Sequence, residues 1–231
     1  MEKSDLKLID IKNISFSYDL FPFKKPKNFI LNNLSLKICA GDRIGIIGGN
    51  GTGKSTLLKI ISGILLPDQG SITYKKNIHV SLLSLSLGYM PNLTGKENIE
   101  HSCLLLGLDS KKINKISKKI INFSGIGEKI NQPLKTYSNG MRSRLGFSIA
   151  INIKSDILLL DEIISVGDHD FQQKCNKELL LLASKKNKAF IVVSHNLSVL
   201  EKYCNKLILI ENGKIMKFGS FDEVRKIYAS K

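Results

Sequence analysis

Eight consecutive residues, Gly48-Gly49-Asn50-Gly51-Thr52-Gly53-Lys54-Ser55, fit the spacing G-x-x-x-x-G-K-[ST]. Glycines at these positions let the backbone turn so that successive N–H groups point inward at an anion. The start of a helix adds a favourable dipole. In such a loop Lys54 reaches the outer phosphates of a nucleotide, and the Ser55 hydroxyl, followed by Thr56, can ligate Mg²⁺. The plain alternative is a glycine-rich turn without a ligand. A β-branched run before the loop and a helical pattern after it favour the phosphate site.

Carboxylates come next. Asp161 and Glu162 end the apolar run Ile157-Leu158-Leu159-Leu160, at the strand edge where open α/β sheets bind ligands. Asp161 could hold Mg²⁺, directly or through water, and Glu162 could polarise an attacking water as general base. An ordinary polar strand end would be the better reading if the phosphate loop were absent. His195 follows Phe190-Ile191-Val192-Val193-Ser194 and so leaves the sheet at the same edge. It could contact a γ-phosphate or position water, although a lone histidine in this position is commonly structural.

The elements that must hold these groups follow from periodicity. Residues 8–18 and 34–38 alternate apolar and polar and predict strands, with a turn at Gly41-Asp42. Residues 43–47, 156–160, 189–193 and 206–210 are short continuous apolar runs, as expected of strands buried on both faces. Residues 54–63, 104–123, 141–153 and 222–228 read as helices, and Glu211-Asn212-Gly213-Lys214 is a hairpin signal. Residues 19–28, with two prolines and three lysines, form a loop or insertion. Strands alternating with helices predict an α/β domain with a mainly parallel core sheet and an antiparallel β flank. With no repeat or linker, residues 1–231 are expected to be one domain with a helical insertion at about 92–153.

Composition narrows the class. The chain has 231 residues, 42% apolar and 24% charged, which excludes a disordered chain or a bundle of membrane spans. No apolar stretch approaches the roughly 20 residues of a membrane helix, and the first five residues have no secretory core. A cytosolic protein is expected. Cys39, Cys103, Cys175 and Cys204 are scattered, without metal-ligand spacing, and read as buried reduced thiols. The net charge of +15 suits nucleic acid, an anionic membrane surface or a compositional bias. Lysine is spread along the chain, which favours bias. The densest run, residues 111–119, has Ile113, Ile116 and Ile120 at helical spacing and predicts an amphipathic helix with a solvated basic face.

Thr136-Tyr137-Ser138-Asn139-Gly140-Met141-Arg142, with Gly140 placed 21 residues before Asp161, resembles the signature of ATP-binding cassette (ABC) ATPases, which normally reads L-S-G-G-Q. Together with the phosphate loop, the acidic pair, the turn containing Asp168 and His195, the resemblance spans nearly the whole chain. It implies two such domains sandwiching two ATP molecules head to tail. The signature residues Ser138, Asn139, Gly140 and Met141 of one subunit would face the γ-phosphate held by the partner. Tyr18 matches the aromatic that stacks on adenine, with a core tyrosine as the plain alternative. Ser165-Val166-Gly167-Asp168 matches the loop that signals across the dimer.

Three stretches are similar to a narrower group, the exporters of bacterial cell-surface polysaccharides such as O-antigen, capsule and teichoic acid. They are residues 137–147, 93–99 and 165–175, and the loose segment 19–28 also fits. The resemblance implies a homodimeric ATPase beneath a polytopic membrane permease, on the cytoplasmic face of the bacterial cytoplasmic membrane. ATP and Mg²⁺ would be bound, a lipid-linked polysaccharide would be handled by the complex, and no nucleic acid is expected. Residues 92–123 are the expected permease surface. Two departures stand out: residues 81–90 lack the glutamine that many ABC ATPases carry there, and the chain ends at Lys231. No C-terminal carbohydrate-binding domain is therefore expected. Two other readings remain: an ABC ATPase for a drug or lipid cargo, and a soluble ABC protein acting on ribosomes or nucleic acid. The second usually carries tandem cassettes or a coiled-coil insertion.

Overall fold

Buried β-branched runs dictate the first layer. In a computed structural model, which describes residues 6–19, 28–83, 88–161 and 167–230, the chain divides into two compact units. The first contains Met1–Leu82, Ser155–Glu162 and Leu181–Lys231, and the second Leu83–Lys154 and Ile163–Leu180.

In the first unit, β1 (Lys7–Phe16), β2 (Leu31–Cys39) and β4 (Gln69–Tyr74) form an antiparallel sheet in the order β2-β1-β4. The β1–β2 register shifts between Ile11 and Ile14, where Asn13 takes a left-handed φ of 51°. The larger sheet has the order β5-β6-β7-β3-β8-β9, with β3 (Arg43–Ile47), β5 (Val80–Leu83), β6 (Ile157–Asp161), β7 (Ala189–Val193), β8 (Lys206–Glu211) and β9 (Lys214–Ser220). Pairs β6–β7, β7–β3 and β3–β8 are parallel. β9 returns antiparallel through Asn212 and Gly213, both at positive φ, 48° and 72°, as a two-residue hairpin turn requires. Helix α1 (Lys54–Ile61) buries Leu57, Leu58, Ile60 and Ile61 in a core shared with Ile44, Ile46, Leu159 and Ile191.

Helices dominate the second unit. These are α2 (Gly95–Leu105), α3 (Ser110–Ser124) and α4 (Asn139–Asn152), with short 3-10 turns at Gly127–Asn131 and Leu134–Thr136. Their inward faces meet at Ile99, Ile113, Ile120, Leu145 and Ile149. Helix α5 (His169–Ala183) also begins here, while α6 (Leu197–Tyr203) and α7 (Phe221–Ala229) belong to the first unit.

The parallel core and antiparallel flank agree with the sequence reading, and three local differences stand out. The helical stretch expected over residues 104–123 breaks into α2 and α3, because Gly107 turns left-handed (φ 75°) and Asp109 caps a new helix by accepting from the Lys111 amide. Strand β4 is almost wholly exposed, so it has no apolar run to betray it. Cys39 is half-buried rather than buried, whereas Cys103, Cys175 and Cys204 are buried. Burial pushes these three thiols up to about 11, 12 and 12. Residues 20–27, the core of the loose segment, lie outside the described residues.

One buried amide orders the entry to α2. Thr94 and Glu97 form a reciprocal capping box, with the Glu97 amide donating to Thr94 Oγ1 and the Thr94 amide to Glu97 Oε2. Asn98, fully buried, accepts from the Met90 amide at 2.8 Å and donates to the carbonyls of Met90, Leu93 and Thr94 at 2.9–3.0 Å. Asn98→Ala orphans several buried polar groups, so urea unfolding should show a loss of about 2–3 kcal/mol at an unchanged slope. An unchanged midpoint would mean that residues 90–94 hold their course without the amide.

Candidate nucleotide-binding site

Strand register brings the chemistry to one edge. Ile46 of β3 and Asp161 of β6 both pair with Val193 of β7, so the C-terminal ends of these three strands lie at one level of the sheet. The glycine loop follows β3, and Ser194 and His195 follow β7. A cleft of about 390 Å³ lies there, lined by Ile30, Asn50, Gly51, Gly53, Lys54, Ser55, Thr56 and His195. That volume is within the usual range for small-molecule sites.

Two glycines are required by geometry. A Cβ on Gly48 would collide with the Ile210 carbonyl oxygen. Gly53 sits at φ +94°, and its Cβ would lie 2.6 Å from Leu31 Cδ2 and 3.0 Å from the Ile30 carbonyl oxygen. Gly53 is also the residue before α1, so that helix starts with no side-chain cap. The other helices are capped: α2 by Thr94, α3 by Asp109, α4 by Ser138, α6 by Asn196 and α7 by Ser220. Asp168 Oδ1 accepts from the Phe171 amide at 3.0 Å and caps α5 in the same way. The first amides of α1 thus have no side-chain acceptor, an arrangement suited to an anion.

Lys54 is buried, and its ammonium donates to the carbonyls of Gly48 (3.0 Å) and Gly49 (2.6 Å), which holds the positive charge beneath the loop. Thr52 Oγ1 donates to the Gly49 carbonyl at 2.9 Å and braces the turn. Ser55 is exposed on the cleft, and Asp161 is half-buried at its strand end. A serine hydroxyl and a carboxylate are hard oxygen donors. Mg²⁺ beside a phosphate chain takes one or two protein ligands of this type, so these residues fit it.

Tyr18 is 49% exposed, with its hydroxyl 3.3 Å from Thr56 Oγ1 and its ring edge-on to Phe16 at 4.9 Å. This places an aromatic ring beside the cleft. Glu162, Ser165 and Val166 lie outside the described residues.

In the second unit, Ser138, Asn139 and Gly140 are exposed and Met141 is half-buried. Ser138 Oγ accepts from the Met141 amide at 3.2 Å, while Tyr137 is buried with its hydroxyl donating to the Lys129 carbonyl at 2.7 Å. A buried tyrosine therefore anchors a helix start that is presented to solvent. Asp168 is ion-paired with Arg144 of α4, and the Arg144 guanidinium lies 5.1 Å from the centre of the Phe171 ring.

Residues 31–165, more than half of the chain, match the family model described as "ABC transporter". The chain belongs to the ABC transporter family. It is 45% identical over 210 residues to the "Teichoic acids export ATP-binding protein TagH" of Staphylococcus saprophyticus, covering 90% of this chain and 78% of that one. It is 41% identical over 233 residues to the protein of the same name from Staphylococcus epidermidis, covering 95% and 87%. Two solved structures share the fold. One is the ATP-binding cassette MJ0796 in a dimeric post-hydrolysis state with ADP and Pi (TM-score 0.76, 22% identity, 93% of this chain and 99% of that one). The other is an ATP-binding subunit of an ABC transporter (TM-score 0.80, 18% identity, 96% and 93%).

Within this ABC cassette, reasoning from sequence missed three contributors. Ile30 walls the cleft, Arg144 holds Asp168, and Asn98 orders the approach to α2. Arg144 lies inside the signature stretch, but only tertiary structure shows its partner. The strain at Gly53 makes a direct prediction: Gly53→Ala should destabilise the fold by about 1–3 kcal/mol in urea and abolish nucleotide retention. Wild-type stability and binding would show that the left-handed turn is dispensable.

Proposed function

We propose that this chain is the ATP-hydrolysing subunit of an exporter that moves a cell-surface polysaccharide of the teichoic-acid type. The observation that carries the reading is the uncapped, glycine-led start of α1 over a buried lysine, with Asp161 and His195 brought to the same edge. Such a site can do one thing well, which is to hold a polyphosphate and a divalent cation next to a water-activating group. The 39–45% identity to staphylococcal teichoic acid export ATPases supports the cargo class over a drug or lipid.

In this reading the amides of residues 49–55 and the Lys54 ammonium bind the β- and γ-phosphates, and Tyr18 stacks on adenine. Ser55 and Asp161 hold Mg²⁺, which supplies charge neutralisation on the phosphates when bound. Glu162 takes a proton from the attacking water, and His195 positions that water against the γ-phosphate. Two copies assemble head to tail, and the Ser138–Met141 helix start of one closes the site of the other. Ser165 and Asp168 relay that closure between subunits. Hydrolysis and product release reopen the pair, which gives a cycle of closure and opening.

The described residues contain no helix long and apolar enough to cross a membrane. The subunit works as a peripheral protein on the cytoplasmic face, with residues 92–123 meeting a polytopic permease that handles a lipid-linked polymer. Nucleic acid has no part in this reading. A Glu162→Gln variant should retain ATP while its turnover falls on the order of 10²–10⁴-fold. Pulled down from membranes with ATP, it should bring a permease carrying a lipid-linked glycan. Near-normal hydrolysis would contradict the general-base role, and ribosomes in place of a permease would contradict export.

A further inference from the structure

Five lysines on α3 take no part in the nucleotide chemistry described above, although they lie within residues 92–123, the stretch that the exporter reading turns toward the permease. Lys111, Lys112, Lys115, Lys118 and Lys119 are all exposed, and the helix carries no acidic residue. At 100° per residue they share a stripe about 120° wide and about 12 Å long. The opposite face is fixed in the core of the second unit through Ile113 and Ile120, so the stripe cannot rotate inward. Among the described residues none of the five ammonium groups enters an ion pair. Immediately before the helix, the end of α2 exposes Leu104 (56%), Leu105 (66%) and Leu106 (41%). Gly107 at the turn has nothing within 4 Å of the place a Cβ would occupy, while a Leu105 methyl lies against Gly88.

A fixed cationic stripe next to an exposed apolar turn is the combination that binds an anionic bilayer surface. Lysines pair with lipid phosphates, and leucines enter the headgroup boundary. A solvated basic face alone gives no reason for three neighbouring leucines in water, and a nucleic-acid groove would call for aromatic platforms rather than aliphatic ones.

We propose that α3 and the α2–α3 turn form a docking surface for anionic phospholipid headgroups beside the permease. This rests on the membrane-peripheral reading above and adds a direct lipid contact to it. Each lysine near such a surface contributes about a fivefold gain in affinity, so the stripe is sufficient for weak, salt-sensitive attachment.

The test is co-sedimentation of the full chain with phosphatidylcholine vesicles, with and without 30 mol% phosphatidylglycerol. The chain should bind the anionic vesicles, should not bind the neutral ones, and should be released as salt rises from 50 to 300 mM. Replacing all five lysines by glutamine should cut binding at least tenfold while leaving vesicle-free ATP hydrolysis unchanged. Leu105→Ser should weaken the binding that remains at higher salt. Equal binding to neutral vesicles, unaltered binding by the glutamine variant, or stronger binding to single-stranded RNA than to the vesicles would overturn the proposal. Failure here leaves permease co-purification intact, whereas failure of the exporter reading removes the permease from the pull-down of the parent chain as well.

Discussion

The unsatisfied backbone amides at the start of α1 are the constraint around which the structure is arranged. Every helix leaves its first N–H groups without partners, and side-chain caps are the common remedy. Here Thr94, Asp109, Ser138, Asn196 and Ser220 provide them for α2, α3, α4, α6 and α7. Among the described residues, helix α1 alone starts from a left-handed glycine that has no side chain to offer. The fold thus leaves a donor-rich concavity in which, on the proposed reading, a phosphate chain would supply the missing acceptors.

Holding that concavity open requires a stiff floor. Parallel strands buried on both faces supply it, because the register that pairs Ile46 and Asp161 with Val193 fixes the strand ends to within a residue. A one-residue slip would turn each side chain to the other face of the sheet and would separate the carboxylate from the loop. The loop is braced from within by Lys54 and Thr52, both bonded to carbonyls of the loop itself. In the proposed role, nucleotide phosphates would draw the ammonium away from two carbonyl acceptors, an exchange that favours the more strongly charged partner.

The second unit solves a different problem, which is to present a helix start outward without letting it fray. Ser138 caps α4, Tyr137 is buried beneath it, and Arg144 ties the same helix to Asp168 at the head of α5. The aromatic group of Phe123, Phe147 and Phe171 packs behind this tie. A rigid, exposed N-terminus of this kind is what a phosphate approaching from another subunit would need.

Much of this was legible from residues 48–55, 156–162 and 189–195, where composition and period both change abruptly. Continuous Val, Ile and Leu runs admit little besides buried strands, and the glycines between strand and helix have few structural uses. What escaped had no local signature. Strand β4 is exposed and polar, the break at Gly107 interrupts an otherwise helical period, and the Arg144–Asp168 and Asn98 contacts join residues whose spacing carries no information about their meeting. The most direct check on the central claim is a calorimetric titration with ATP and with inorganic triphosphate, on the parent chain, Lys54→Ala and Tyr18→Ala. The account predicts that Lys54→Ala loses roughly 10- to 150-fold for both ligands, while Tyr18→Ala weakens only ATP. Parental affinity in both variants would contradict a phosphate site built on the uncapped start of α1.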